Sequence, residues 1–175
     1  MHRVLHMRMR GFAPVAGADA RVLILGTVPG KRSIECRQYY AKRGNLFWPL
    51  MAEILGFSCD LPYESREKQL KNNRIALWDV CETACRAGSL DSTIRLADVV
   101  PNEFGAFLSA HKNIELICFN GSRAAKVYQR KVLPNLPGEL QSIRTEILPS
   151  TSPALARMNR KEKTFHWRSV LDKVL

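Results

Sequence analysis

The stretch Arg21-Val-Leu-Ile-Leu-Gly-Thr-Val-Pro-Gly30 decides the fold of this chain. Its apolar run stops at Gly26, which is typical of a buried strand followed by a loop. Further apolar runs at 75–78, 114–119 and 142–148 predict three more strands. Helical patterns alternate with these runs, at 45–55, 63–72, 102–109, 122–132 and 161–175. This alternation predicts the α/β class: a three-layer α/β/α sandwich around a central, mostly parallel four-stranded sheet.

The length of the chain favours one domain. With 175 residues it is long enough for one compact domain and short for two. We therefore expect residues 1–175 to form a single domain. Residues 1–20 are expected to form a loosely ordered arm, since 11–20 is rich in Gly and Ala. The segment 81–92 has no clear period and predicts a long loop.

Composition and charge exclude several classes of protein. Hydrophobic residues make up 46% and charged residues 25%, which is normal for a globular domain and unlike a disordered or fibrous chain. No apolar run approaches the ~20 residues of a membrane helix, and the N-terminus does not resemble a secretion signal, so we expect a cytoplasmic protein without membrane contact. The formal net charge of +11 favours a nucleic-acid partner, the alternative being a basic surface that only maintains solubility.

The five cysteines do not form a metal or disulfide pattern. They are Cys36, Cys59, Cys81, Cys85 and Cys118, an odd number in a chain without a secretion signal. Their spacing fits neither a zinc set nor a four-cysteine iron–sulfur cluster. We expect buried or half-buried free thiols, no metal site and no cofactor.

The loop after the first strand is not a nucleotide-binding motif. A phosphate-binding P-loop needs four residues between its glycines and Ser or Thr directly after Lys. Here three residues separate Gly26 from Gly30, and Arg32 follows Lys31. The sequence therefore excludes a nucleoside triphosphatase of this type.

Two other segments combine residues that suit nucleic acid. Gln38-Tyr-Tyr-Ala-Lys-Arg-Gly-Asn-Leu-Phe-Trp48 interleaves aromatic rings with cations, an arrangement that stacks bases and holds phosphates. Leu148-Pro-Ser-Thr-Ser-Pro-Ala154 offers three hydroxyls in a stiff segment after a strand. Each has a structural alternative. Asn45 could simply cap the following helix, and the hydroxyl segment could be an ordinary turn.

Together these residues resemble the uracil-DNA glycosylase superfamily, and most closely its hypoxanthine-DNA (deoxyinosine) glycosylase branch. The resemblance runs from about Arg21 to the C-terminus. Four blocks carry it by their order and spacing: 25–30, 40–48, 76–81 with 88–92, and 148–153. Each block alone is a weak signal.

The resemblance implies roles for individual residues. Val28 stands where relatives often have a catalytic Asp or Asn, and Asn45 corresponds to the substitute proposed for the hypoxanthine branch, where it would hold the attacking water. Tyr40 corresponds to the aromatic residue that stacks on the extruded base. Asp79 corresponds to a base-reading position, although it could equally cap a loop. Leu148 stands where relatives often have His or Asn. The predicted substrate-binding set is Thr27, Val28, Pro29, Gly30, Tyr40, Asp79 and Leu148.

The remaining predicted contacts are with the DNA backbone. They are Lys31, Lys42, Arg43, Ser150, Thr151, Ser152, Leu155 and Arg157. Leu155 could be an apolar wedge that fills the vacated stack, or the first turn of a buried helix. Asn120-Gly121 corresponds to a strand-to-helix turn of the superfamily, and we interpret it as structural.

The resemblance thus implies a monofunctional DNA glycosylase that excises a deaminated base: hypoxanthine first, then uracil or xanthine. Its partner would be single- or double-stranded DNA that contains such a base, and we expect a monomer. Two alternatives stay open. One is a nucleic-acid-binding module of the same fold without catalysis, since Val28 and Leu148 are apolar. The other is an enzyme of free nucleosides, which the basic excess disfavours.

Overall fold

A four-stranded parallel sheet forms the centre of the molecule, as the sequence predicts. The structure, a computed structural model, describes residues 7–86, 94–154 and 157–175. In chain order its strands are β1 (Met7–Arg10), β2 (Val22–Gly26), β3 (Ile75–Asp79), β4 (Cys81–Arg86), β5 (Val100–Pro101), β6 (Leu116–Asn120) and β7 (Arg144–Leu148). The central sheet has the order β3-β2-β6-β7, and every neighbouring pair is parallel.

Seven α-helices accompany these strands in the described residues. They are α1 (Lys31–Cys36), α2 (Phe47–Leu55), α3 (Tyr63–Asn72), α4 (Phe104–Ala110), α5 (Ser122–Lys131), α6 (Gly138–Gln141) and α7 (Arg160–Leu171). Short 3₁₀ turns lie at Leu96–Asp98 and Leu133–Asn135. The five predicted helices correspond to α2, α3, α4, α5 and α7, with ends that differ by a few residues.

The central sheet is covered on both faces because its side chains alternate between them. Leu23, Leu25 and Phe119 point to one face, where they share a core with residues of α4 and α5. Ile24 and Leu77 point to the other face and pack with residues of α2, α3 and α7. The predicted three-layer α/β/α sandwich is therefore confirmed.

A second, smaller sheet lies beside the first and was not predicted. Strand β4 pairs antiparallel with β1 on one side and with β5 on the other. The prediction of a long loop over 81–92 is thus wrong for 81–86, and 87–92 lies outside the described residues. The strand was missed because its partner is some 75 positions away in the chain, and local periodicity carries no sign of such a pairing. Helix α1 lies between the predicted strand that ends at Gly26 and the predicted helix 45–55, and it was missed as well.

The described part of the N-terminal segment packs on the central sheet. Val15 forms a bridge with Leu77, and Ala20 is fully buried. Whether the whole chain is a single domain stays a prediction. Among the described residues, no helix has the length and apolar character needed to cross a membrane.

Candidate active site

One cavity of about 610 Å³ opens at the carboxyl edge of the central sheet, where β2, β3, β6 and β7 end. Ligands of open α/β sheets bind at this edge, next to the point where the strand order reverses. Here the chain runs from β2 to its neighbour β3 and then places β6 on the opposite side of β2. The predicted site residues that line the cavity are Thr27, Val28, Pro29, Gly30, Tyr40, Lys42, Asn45, Asp79, Ser150, Thr151 and Ser152.

Three residues meet closely at the ends of β2 and β3. Gly26 is paired with Asp79 across the two parallel strands. A Cβ added to Gly26 would lie 2.5 Å from Oδ1 of Asp79 and 2.8 Å from the Tyr40 hydroxyl oxygen. Only glycine leaves room for this approach, so Gly26 brings the Asp79 carboxylate and the Tyr40 hydroxyl to one point of the cavity.

Tyr40 is held in an unusual backbone conformation. Its φ of 56° lies in the left-handed region, which is uncommon for a residue other than glycine. The peptides on either side are fixed by side chains: Trp48 Nε1 donates to the Tyr39 carbonyl at 2.8 Å, and Ser33 Oγ accepts from the Ala41 N–H at 3.2 Å. The Tyr40 ring stacks on Phe47, with centroids 4.2 Å apart and planes 26° from parallel. Strain that surrounding contacts maintain in this way is a common feature of functional sites.

The neighbouring Tyr39 is a buried support for this arrangement. It is 3% exposed, and its hydroxyl donates to the Ala13 carbonyl at 3.1 Å. Burial, and after it the charge of Asp79, raise the pKa of Tyr39 above its ordinary value. Tyr39 therefore stays neutral and structural, although it belongs to the cavity lining.

Asn45 lines the cavity and also orders the start of α2. Its Oδ1 accepts a hydrogen bond from the Phe47 N–H at 2.9 Å, while its own N–H donates to the Lys42 carbonyl at 3.0 Å. The side chain is half-buried. The cap residue of α2 is Leu46, so Asn45 is not the helix cap that the sequence offered as an alternative. Its Oδ1 still accepts from the first N–H of the helix, and the second lone pair of the amide oxygen is left for water.

The loop after β7 is tied to the end of β6. Asn120 Nδ2 donates to Thr151 Oγ1 at 2.8 Å, and the Thr151 N–H donates to Asn120 Oδ1 at 2.9 Å. Thr151 is fully buried, so its side chain supports the loop and does not reach a DNA backbone, contrary to its predicted role. Ser150 and Ser152 are half-buried and carry the hydroxyls of this loop at the cavity.

The other predicted residues lie away from the cavity. The side chain of Leu148 is 4% exposed and belongs to the core that contains Trp167, so it does not face a substrate there. It points inward because the last side chains of a strand still alternate between the two faces. Lys31, Arg43 and Arg157 are exposed on the surface outside the lining. The prediction for Leu155 lies outside the described residues.

Strand β6 and helix α5 also contribute to the cavity, and the contribution of Asn120 was not predicted from the sequence. Asn120, Gly121, Ser122, Arg123 and Lys126 all line the cavity. Asn120 is the last residue of β6, as Asp79 is the last residue of β3. A polar residue directly after an apolar run was therefore the sequence signal that could have identified Asn120 as a site residue. Gly121 has a φ of 95°, in the region that favours glycine, and its structural role stays a prediction.

The cavity has a positive lining. Among the described residues around it, Lys42, Arg123 and Lys126 carry positive charge and Asp79 carries negative charge. The Arg123 guanidinium also donates to the Ile94 carbonyl, which fixes its position. Within the described parts of the chain, no group of three or more His, Cys, Asp or Glu side chains converges as metal ligands would. All five cysteines are free thiols, and Cys59 is exposed where a buried or half-buried thiol was expected.

Comparisons with known proteins find several that are similar to most of this chain. A hypoxanthine DNA glycosylase of Methanosarcina acetivorans is 38% identical over 165 residues, which are 94% of this chain and 98% of the relative. A hypoxanthine DNA glycosylase of Methanosarcina barkeri is 35% identical over 141 residues, 75% of this chain and 88% of the relative. A solution NMR structure of an M. acetivorans protein proposed to be a uracil DNA glycosylase has a TM-score of 0.79 and 36% identity, and the match covers 95% of this chain and 98% of that one.

The family comparison covers nearly the whole chain. The model of the uracil DNA glycosylase superfamily matches residues 14–174, which include every strand of the central sheet and every described residue of the cavity lining. The chain therefore belongs to the uracil DNA glycosylase superfamily.

Proposed function

We propose that this protein is a monofunctional DNA glycosylase that extrudes a deaminated base and hydrolyses its N-glycosidic bond, in base excision repair. Membership of the family, and relatives named hypoxanthine DNA glycosylase, make the chain a DNA glycosylase. Hypoxanthine as the first substrate, uracil and xanthine after it, and extrusion of the base are our proposal. One observation carries it: a single cavity brings together Tyr40, Asp79 and Asn45.

The Tyr40–Asp79 pair supports recognition of an extruded base. A base inside a duplex cannot reach an enzymatic site, so it must be turned out into a pocket. The Tyr40 ring, stacked on Phe47, offers an aromatic surface for the base to stack on. The buried Asp79 carboxylate accepts hydrogen bonds only, which suits the N1–H of hypoxanthine and disfavours the N1 lone pair of adenine.

Asn45 supports hydrolysis by holding water. As the bond between C1′ and the base nitrogen breaks, its electron pair leaves with the base and positive charge develops on the sugar. A water oxygen then bonds to C1′ and releases a proton to solvent, and the departed base anion takes up a proton from solvent. The second lone pair of Asn45 Oδ1 can orient this water, while the bond to the Phe47 N–H fixes the amide. An amide is too weak to deprotonate water, so Asn45 acts by positioning.

The cations and hydroxyls around the cavity fit the DNA backbone. Lys42 and Lys126 are exposed at the lining, and Ser150 and Ser152 lie on the loop after β7. Phosphate contacts of this kind fix the register of a protein on DNA and make binding sensitive to salt. In this proposal the protein binds single- or double-stranded DNA with a deaminated base and acts as a cytoplasmic monomer.

The position of the buried Lys163 supports monofunctional chemistry. An enzyme that also nicks the strand uses a neutral lysine as nucleophile, which requires a depressed pKa. Burial lowers the pKa of Lys163, but its Nζ donates to the Ser150 carbonyl and its side chain is not part of the cavity lining. We therefore expect the product to be an intact strand with an abasic site.

A binding module without catalysis is the alternative function. Val28 is 6% exposed and apolar in the cavity wall, where relatives often have an Asp or Asn. Such a module would bind DNA with a similar dependence on salt but release no base.

A base-release assay separates the two functions. Labelled duplexes carry one deoxyinosine, deoxyuridine or deoxyxanthosine, and strand cleavage is measured with and without alkali for the wild type, Asn45→Ala and the exposed control Asn113→Ala. We expect alkali-dependent cleavage, highest for deoxyinosine. Asn45→Ala should lower it at least about 100-fold with DNA affinity nearly unchanged, and the control should keep the wild-type rate. Tight binding without an abasic site on any lesion would instead support the module, and cleavage without alkali would contradict monofunctional chemistry.

A further inference from the structure

Two residues of the segment 37–41 have a left-handed backbone. Arg37 has a φ of 53° and Tyr40 a φ of 56°. This conformation is uncommon for residues other than glycine, because it brings the Cβ atom too close to the backbone. Contacts from the surrounding structure must therefore maintain it at both positions.

Ser33 in α1 holds this segment at two points. Its carbonyl oxygen accepts a hydrogen bond from the Gln38 N–H at 3.0 Å, and its Oγ accepts one from the Ala41 N–H at 3.2 Å. Gln38 directly follows Arg37, and Ala41 directly follows Tyr40. The peptide after each left-handed residue is therefore fixed by Ser33.

The peptides before Tyr40 are fixed from other helices. The Tyr39 carbonyl accepts from Trp48 Nε1 of α2 at 2.8 Å, and the Tyr39 N–H donates to the Tyr63 hydroxyl of α3 at 3.0 Å. Since peptides are planar, the φ and ψ of a residue are set by the orientations of the two peptides that flank it. Trp48 on one side and Ser33 on the other thus define the backbone conformation of Tyr40.

The left-handed backbone determines where the Tyr40 ring lies. In this conformation its hydroxyl oxygen lies 2.8 Å from the position of a Cβ at Gly26, in the corner of the cavity that Asp79 shares. If φ returned to about −60°, the side chain would turn by more than about 100° relative to the preceding peptide. The ring would then leave this corner and its stacked position on Phe47.

The hydroxyl of Ser33 contributes to this turn. The residue is 5% exposed, and a buried hydroxyl is unfavourable unless it is hydrogen-bonded. Alanine would be the better residue for α1 itself, since serine has the lower helix propensity. The bond from the Ala41 N–H is a contribution that a serine, unlike an alanine, makes at this position.

We propose that Ser33 is a positioning residue for base recognition, which maintains the left-handed backbone of Tyr40 and thereby keeps the Tyr40 ring in the cavity. This inference rests on the proposed function, in which the extruded base stacks on that ring. A ring that is fixed in advance avoids the cost of ordering a side chain when the base binds. The effect of Ser33 on base release should therefore depend on the presence of the Tyr40 side chain.

A double-mutant comparison tests this dependence. Ser33→Ala is made in the wild type and in Tyr40→Gly, because glycine adopts a positive φ readily and has no ring to position. Ser109→Ala, at an exposed position of α4, is the matched control. For each variant we measure the single-turnover rate of base release from the lesion duplex on which the wild type is fastest, the Kd for lesion and undamaged duplexes, and the thermal unfolding midpoint.

In the wild type, we expect Ser33→Ala to lower the rate of base release about 5- to 50-fold and to weaken binding of the lesion duplex, since a buried N–H loses its acceptor. The Kd for undamaged DNA should change less than about twofold, because that binding depends on phosphate contacts. In the Tyr40→Gly background, Ser33→Ala should change the rate less than about twofold. Ser109→Ala should match the wild type.

An active wild type whose rate Ser33→Ala matches overturns this inference alone. An equal loss in both backgrounds also overturns it, because Ser33 would then support the fold or contact the substrate itself. If Tyr40→Gly releases too little base to measure, the two backgrounds are compared by the Kd for the lesion duplex. If Ser33→Ala does not fold, Ser33→Cys replaces it, since a thiol is the weaker acceptor. A wild type that releases no base overturns the proposed function and this inference with it.

Discussion

Gly26 and Asp79 face each other across neighbouring parallel strands so closely that a single added methyl group at Gly26 would lie 2.5 Å from Oδ1 of Asp79. The same methyl group would lie 2.8 Å from the Tyr40 hydroxyl oxygen. The absence of a side chain at Gly26 is therefore what lets a buried carboxylate and an aromatic ring share one corner of the cavity. This relationship makes Gly26 a sensitive probe of the site.

Gly26→Ala should damage the site more than the fold. The methyl group must displace Asp79 or Tyr40, and overpacking of this kind destabilises a protein by about 1–3 kcal/mol. We expect base release to fall at least about 100-fold, since misplacing a substrate-contacting group by about 1 Å is enough for such a loss. Single-turnover kinetics and urea unfolding test this.

Gly105→Ala is the matched control for this prediction. Gly105 lies in α4, and an added Cβ there has no atom within 4 Å. Because alanine favours a helix over glycine, this variant should be unchanged or more stable by about 0.5–1 kcal/mol, with wild-type activity. Equal rates of base release in Gly26→Ala and Gly105→Ala would contradict the prediction, because they would mean that the site tolerates displacement of Asp79 or Tyr40.

Much of the scaffold could be predicted from the sequence because its signals are local. The buried strands around Leu23, Ala76 and Ile117 are continuous apolar runs, and each ends in a polar residue or a glycine. Since parallel strands end at one edge of a sheet, the loops that follow them had to meet there. Asn45 and Asp79, both predicted as site residues, do line one cavity.

The errors concern properties that depend on distant parts of the chain. The pairing of Met9 with Ala84 joins segments that lack any common local pattern. Thr151 was expected at the DNA, but its hydroxyl is turned inward by Asn120, some 30 residues earlier. The sequence of α7 around Lys163 is polar and predicts an exposed side chain. Lys163 is buried because α7 packs against the loop 149–152, where its Nζ donates to the Ser150 carbonyl.

Lys126 should contribute to DNA affinity through a phosphate contact. It is exposed on α5 at the cavity lining. Lys126→Ala should reduce the slope of log Kd against log salt concentration by about 1 and weaken binding to lesion and undamaged duplexes alike. Fluorescence anisotropy at several salt concentrations measures this. Lys68→Ala, an exposed lysine of α3 outside the cavity, is the control, and an unchanged slope for Lys126→Ala would exclude the contact.

Tyr128 should make the fold sensitive to alkaline pH. Burial raises its pKa from the ordinary 10.0 to about 12. Below about pH 10 the phenol is neutral in both the folded and the unfolded chain, and its stabilising contribution is complete. As the pH rises from about 10 toward about 12, the Tyr128 phenol ionises in the unfolded chain but not in the folded one. The free energy of unfolding therefore falls by up to about 1.4 kcal/mol per pH unit.

Tyr128→Phe removes this titration and keeps the ring that packs against Phe104 and Phe119. Urea unfolding between about pH 8 and 11 should therefore show a shallower alkaline loss of stability for the variant. The difference between the two proteins should be constant below about pH 9, which serves as the internal control. Parallel curves over the whole range would show that the Tyr128 phenol has an ordinary pKa.

Asp79→Asn should change which base is excised. The substitution keeps the shape of the side chain, but an amide can turn its NH₂ group toward the N1 lone pair of adenine, which the carboxylate disfavours. A hydrogen bond to a charged group contributes about 1.5–3 kcal/mol. We therefore expect hypoxanthine release to fall about 10- to 100-fold and the preference for hypoxanthine over adenine to shrink, in single-turnover assays on deoxyinosine and deoxyadenosine duplexes. The exposed Asp60→Asn is the control. If Asp79 only supports the strand ends, Asp79→Asn will instead lower the unfolding midpoint and slow the release of hypoxanthine, uracil and xanthine by the same factor.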